Sequence, residues 1–339
     1  MKYKSLALIT MILFLVAGCF PKIKYKTGKF PEEVTSFDIL NTQYDEMNMD
    51  LKMIFGSTIM VYSSNYPNFG NHFDLISKVI EFSFDQENGN LFFKEKHGPV
   101  NNHSIKLSEQ LYQINDPCNQ RGPYSFQEGN GNYVFLYSSD CDGLSKIAMN
   151  TQGITSANSR KTNEKLRFME EDSNEMYPSL YGKNFRKTID HAEEMNGKPE
   201  KLIFTSDADG KFDIYEVDIP EGVVVSDFMQ DKQNFQPRKL TINSSSNDHA
   251  PAVFGDILVF ASDRPGGFGG YDLYYSQFKN GTWTSPVNFG ERINSASDEF
   301  RPVVYFDHGS FENLLMIFSS DRPGGKGGFD LYYVGIPKN

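Results

Sequence analysis

Short apolar runs recur along this chain at wide, fairly even spacing. Residues 59–62 (IMVY), 133–137 (YVFLY), 202–204 (LIF), 257–260 (ILVF) and 314–318 (LLMIF) are nearly continuous hydrophobic stretches, rich in β-branched and aromatic types. Runs of that length suit strands covered on both faces, as in a sheet pressed between two others. Each run leads to a serine, at positions 64, 139, 206, 262 and 320. A polar turn and a second apolar segment follow, such as DLYY at 272–275 and again at 330–333, so each unit reads as a β-hairpin.

Upstream of the hairpins an acid is followed three residues later by proline: Glu175 with Pro178, Asp248 with Pro251, Glu299 with Pro302. Gln120 stands before Pro123 in the same way, and Glu46 before Met49. Proline has no amide hydrogen and suits the start of a strand, so another strand precedes each hairpin. A further segment such as 282–299 brings each repeat to about four strands. Radial four-stranded repeats make a β-propeller. The expected fold is all-β with five blades, at about 45–116, 117–172, 173–245, 246–296 and 297–339, and six blades as the alternative. The excess length of the blades is assigned to outer loops and hairpins such as 87–114. The last blade has sequence for three strands, so its outer strand should come from the N-terminal segment, 22–26 or 35–40, closing the ring.

One phrase is nearly duplicated: ASDRPGGFGGYDLYY at 261–275 returns as SSDRPGGKGGFDLYY at 319–333. Weaker copies lie at 59–76, 133–147 and 202–217. Its acids suit an architectural role. Asp263 and Asp321 can accept bonds from turn amides, the glycines supply positive φ, and Asp272 and Asp330 can bind turn amides or Arg264 and Arg322. Calcium is the rival, suggested by DADG at 207–210 and DCDG at 140–143, but neither stretch continues with the third acid and distal glutamate of an EF-hand loop. No metal or other cofactor is therefore expected. If the acid-led strands are innermost, Glu46, Gln120, Glu175, Asp248 and Glu299 approach the axis at one mouth of the channel. Such a ring could receive a basic tail or a cation; alternatively, each acid bonds backbone amides of the adjoining blade.

The Ser-Asp-Arg-Pro-Gly-Gly turn with its Gly-Gly-Tyr-Asp-Leu-Tyr-Tyr continuation resembles the TolB-type, WD-repeat-like propeller repeat of bacterial envelope proteins. The acid-x-x-Pro opening and the stretch from Pro286-Val287-Asn288 to Ile293-Asn294 belong to the same resemblance, which covers residues 45–339. It implies a noncatalytic scaffold or interaction module whose partners are envelope proteins, and no enzyme. A Gly-x-Ser-x-Gly nucleophile elbow is absent from the sequence. The alternative is a carbohydrate-binding or glycan-cleaving five-bladed propeller, in which two inward carboxylates serve as acid and base. The single tryptophan, Trp283, counts against a sugar site. The histidines at 72, 97, 103, 191, 249 and 308 show no metal-ligand spacing.

The N-terminus adds a location. Lys2 and Lys4 precede an apolar run at 6–17, too short to span a bilayer as a helix, so 1–18 reads as a secretory signal. The small residues before Cys19 resemble the lipobox of bacterial lipoproteins, which implies acylation of Cys19, durable membrane anchoring and a tether over 19–44. Phe20-Pro21-Lys22 lacks the aspartate that commonly retains such proteins in the inner membrane, so the resemblance implies the outer membrane; the acidic tract that directs some lipoproteins outward is also missing, so the periplasm-facing side is expected, with the cell surface as the alternative. Losing Lys2 and Lys4 takes the formal charge from -11 to -13, which argues against nucleic acid as partner. Cys118 and Cys141 flank the opening strands of the second repeat at one end, and in an oxidising compartment they are expected to pair.

Overall fold

The computed structural model describes residues 24–54, 57–97, 102–129, 131–152, 163–169, 172–183, 185, 197–231, 235–305 and 311–338. Cys19 and the signal segment lie outside them. The first strand, β1 (Thr35–Ser36), belongs to the last sheet. Blade one comprises β2 (Glu46–Ile54), β3 (Ser57–Ser64), β4 (Asp74–Phe84) and β5 (Leu91–Lys96). Blade two comprises β6 (Gln120–Gln127), β7 (Tyr133–Ser139), β8 (Lys146–Gln152) and β9 (Glu164–Lys165). Blade three comprises β10 (Glu175–Tyr181), β11 (Lys201–Ser206), β12 (Asp213–Asp218) and β13 (Arg238–Lys239).

In blade four, β14 (Asp248–Phe254), β15 (Ile257–Ser262) and β16 (Asp272–Lys279) are followed by an outer strand in two pieces, β17 (Thr282–Trp283) and β18 (Val287–Asn288), both paired with β16. Blade five comprises β19 (Glu299–Tyr305), β20 (Leu314–Ser320) and β21 (Asp330–Ile336), with β1 as its outer strand. The strands opened by the four acids and by Gln120 are the inner ones: β2, β6, β10, β14 and β19 contact one another in a cycle. The fold is an all-β, five-bladed propeller.

The buried faces follow from the runs read in the sequence. Strands β7, β20 and β21 are buried at every position, because each is covered by neighbouring blades on both faces. Phe135, Phe204, Phe260 and Phe318 occupy matching places on the second strands and have no more than 1% exposure. Fully burying such a side chain contributes roughly 1.5–3 kcal/mol.

Closure uses the second of the two expected segments. Thr35 and Ser36 pair with Tyr333 and Tyr332, and the amide of Phe37 donates to Leu331 O at 2.9 Å. Lys24 and Tyr25 instead donate to Gln86 O beside blade one. One part of the 87–114 region is not a hairpin: α1 (Asn102–Ile114) buries Leu107, Leu111 and Ile114 against Ile59, Val61 and Phe135. Leu107, Leu111 and Ile114 stand at helical spacing, so the signal was present in the sequence. Cys118 and Cys141 form a disulfide, with Cα atoms 5.2 Å apart.

Candidate functional site at the propeller axis

The inner strands share one irregularity. In each, the register shifts after the second residue, and the residue two after the acid takes a left-handed backbone: Asn48 (φ 59), Gly122 (φ 59), Tyr177 (φ 56), Ala250 (φ 52) and Arg301 (φ 47). A bulge of this kind re-aims side chains and bends the strand. Four of the five residues are not glycine, which carries a conformational cost that the repeated bonding must hold in place. The amides of Asn48, Tyr177 and Ala250 donate to Ser319 Oγ, Ser138 Oγ and Thr205 Oγ1 of the preceding blades at 3.1–3.2 Å.

A second repeated device joins the blades. The residue before each acid accepts an amide from the blade before it: Phe73 donates to Asn119, Ser145 to Asn174, Phe212 to Asn247, Tyr271 to Asp298 and Phe329 to Asp45, at 2.7–3.1 Å. The carbonyls of those same five donors accept the amides of Gln120, Glu175, Asp248, Glu299 and Glu46. The residue after each key serine then fixes the latch. Asn65, Asp140, Asp207, Asp263 and Asp321 accept the amides of Asp45, Asn119, Asn174, Asn247 and Asp298 at 2.7–2.9 Å. Asp263 and Asp321 thus reach back to the preceding loop, whereas the expectation had them bind their own turn.

The remaining sequence-derived residues fall into the same scheme. Glu46, Gln120, Glu175, Asp248 and Glu299 are fully buried. Glu46 accepts from Thr42 N, Thr42 Oγ1 and Ser64 Oγ, and Glu299 from Ser295 and Ser320. Asp248 accepts from Ser244 and Ser262, Glu175 from Lys146 and the Phe168 amide, and Gln120 donates to Asp116. Burial raises the pKa of Glu46, Glu175 and Glu299. Arg264 bonds Asp248 and Ile242 O while its guanidinium lies over Phe260 and Tyr274. Arg322 repeats this with Glu299, Ile293 O, Phe318 and Tyr332. Asp272 accepts the amides of Phe268 and Gly269, and Asp330 those of Lys326 and Gly327. In the DADG and DCDG stretches, Asp207 and Asp140 hold the latch, Asp209 pairs with Lys239, and Asp142 with Lys165.

What differs between blades is therefore informative. At the first and second positions after the acid the hub carries Arg121, Asn48, Tyr177, His249, Phe300 and Arg301, and these do not repeat. Arg301 reaches from blade five across the hub: Nη1 donates to Pro251 O at 2.8 Å and Nη2 lies 3.5 Å from Pro123 O in blade two. Tyr177 in blade three feels Arg121, Arg301 and Asn48 from three other blades. Its ring occupies the place where a side chain on Gly122 would stand. His249 lies among Phe212, Tyr177 and Phe300, with centroids at 4.2, 5.1 and 5.1 Å. Burial and the Arg301 charge lower its pKa to about 3, so it is neutral. Deeper along β2, Asp50 accepts from Ser125 N and Oγ at 3.0 and 2.8 Å. Periodicity could not reveal this cluster, because its members are the departures from the period.

No protein-family model matches the chain, and no curated protein does. Solved structures do match in fold. A thermostable family-43 glycoside hydrolase superposes with a TM-score of 0.54 at 12% identity, covering 90% of this chain and 94% of that one. An endo-arabinase from Bacteroides thetaiotaomicron superposes with a TM-score of 0.50 at 12% identity, covering 92% and 98%. These neighbours correct the TolB-type, WD-repeat-like family expectation. They also remove the basis for the noncatalytic scaffold and for excluding an enzyme, since both rested on that resemblance. The physical reason is visible in the latches: the Ser-Asp-Arg-Pro-Gly-Gly turn joins blade to blade, so it reports how a blade is built and carries no information about what the hub does.

Proposed function

We propose that the chain acts on glycans, binding and cleaving a sugar chain at the hub mouth. The observation that carries the reading is the non-repeating cluster of donors and rings on an otherwise repeated wheel. Tyr271 and Phe300, 5.3 Å apart, offer partly exposed aromatic faces for a sugar ring, and Arg121, stacked on Phe73, adds a guanidinium to the same cluster. The fold shared with a family-43 glycoside hydrolase supports the same reading. Binding needs only this cluster. Cleavage needs two carboxyls: Asp50 is one candidate, and the raised acids Glu46, Glu175 and Glu299 supply candidates for the proton donor. We also propose that acylated Cys19 anchors the chain to the outer membrane facing the periplasm, among envelope partners.

The test is a panel of neutral and acidic polysaccharides, read by released reducing ends and by glycan-array binding. Release from at least one polymer, lost in Asp50→Asn with an unchanged circular dichroism spectrum, is expected. A protein that releases no reducing ends and binds no glycan would overturn the reading.

A further inference from the structure

The other arginines with carboxylate partners set a standard for the hub. Arg264 meets Asp248, Arg322 meets Glu299, and Arg238 meets both Glu216 and Asp218. Arg301, with 1% exposure, has no such partner. Its bonds go to two proline carbonyls, and Nε makes none. Arg121 stacks on Phe73 at 4.7 Å, and its shielded Nε is also unbonded. Asn48 is fully buried, with its side-chain amide set toward Tyr177. These three groups converge on Tyr177 from different blades.

A buried charge without a counter-charge costs several kcal/mol. The chain has 44 acidic residues against 33 basic ones, yet among the described residues it sets no carboxylate in ion-pair contact with either guanidinium. Burial already lowers the pKa of Arg301 to about 10. A negative group is the missing complement. The Nε–Nη edge of a guanidinium matches a planar carboxylate in two parallel bonds. The half-buried rings of Phe300 and Tyr271 lie 5.3 Å apart, with Phe300 5.7 Å from Tyr177, and such rings suit the face of a pyranose.

We propose that the hub mouth selects an acidic glycan, with the carboxylate of a uronic-acid unit received by Arg121 and the buried charge of Arg301 beneath it. This inference rests on the glycan reading above and names its substrate class. Asn48 supplies a neutral donor to the same carboxylate or to a neighbouring hydroxyl.

The experiment is titration calorimetry of the full-length protein with oligogalacturonate, its fully methyl-esterified form, a neutral oligogalactoside and sodium acetate. The acid form should bind at least tenfold more tightly than the ester and weaken as salt rises. Arg121→Gln should abolish that preference, lowering affinity for the acid form at least tenfold more than affinity for the ester. Arg301→Met should do the same if it folds. Equal binding of acid and ester, a preference that persists in Arg121→Gln, or acetate binding as tightly as the oligomer would overturn the inference while the glycan reading stands. Binding of the neutral oligomer alone would do so too. If no glycan of either kind binds here or on the array, the functional reading itself fails.

Discussion

Asp45 accepts the backbone amide of Phe329 at 2.8 Å across a separation of 284 residues, and Phe329 O accepts the amide of Glu46 in return. This is the same two-bond latch that joins each of the other blades to its successor. The wheel is therefore closed twice: at the hub side by this latch, and at the rim by β1 lying against β21.

Asn41 contributes two buried bonds to that closure. Its side chain accepts Leu331 N and donates to Leu331 O, both at 2.8–2.9 Å and both buried. Asn115, Asn243 and Asn294 do the same for Leu75, Ile214 and Leu273. Asn41→Ala strands an amide and a carbonyl, and should cost about 2–4 kcal/mol. Urea denaturation measures it, and a loss below about 0.5 kcal/mol would remove Asn41 from the closure.

Gly122→Ala should destabilise the protein by about 2–4 kcal/mol, because the added methyl collides with the Tyr177 ring and the backbone is left-handed there. The double variant with Tyr177→Ala should lose less than the sum of the single changes. Additive losses would mean that the two residues do not compete for space.

The disulfide between Cys118 and Cys141 closes a short loop, with a sequence separation of 23. Replacing both cysteines with serine should cost on the order of 3 kcal/mol. Thermal unfolding with and without reductant checks this, and identical midpoints would show that the bridge contributes nothing.

Burial raises the pKa of Glu46 above its ordinary 4.5, against bonds from Thr42 and Ser64 that pull it down. A raised folded pKa means that the fold prefers the protonated acid. The stabilisation is complete below the unfolded value and is lost as pH climbs through the folded one. Compared with Glu46→Gln, the wild type should fare best at low pH and lose ground above about 4.5. Gln120 already occupies the matching place in blade two. Denaturation series across pH would show a constant difference if Glu46 titrates alike in both states.

The blades were legible because the same few residues recur: a serine ending each second strand, an acid opening four of the five first strands, and an acid-turn-acid phrase between strands in the last three blades. Closure by an N-terminal segment followed from counting strands, and only the fold decided between 22–26 and 35–40. The latch asparagines were less visible, since Asn119, Asn174 and Asn247 act through loops whose paths only the fold reveals. The hub cluster could not be found by repetition at all. Asn48, Arg121, Tyr177 and Arg301 each appear once, and their meeting point depends on four inner strands converging from distant parts of the chain. The turn motif misdirected the family assignment for the complementary reason, that a shared way of building blades says nothing about the hub.

The pairing of β1 with β21 has a consequence for biogenesis. Synthesis delivers the rim strand of the final sheet before the intervening blades and its neighbour after them, so the early segment must remain unpaired while those blades emerge. The ring can therefore close only once β21 has emerged, and a chain stopped before it would expose an unsealed sheet edge to quality-control proteases.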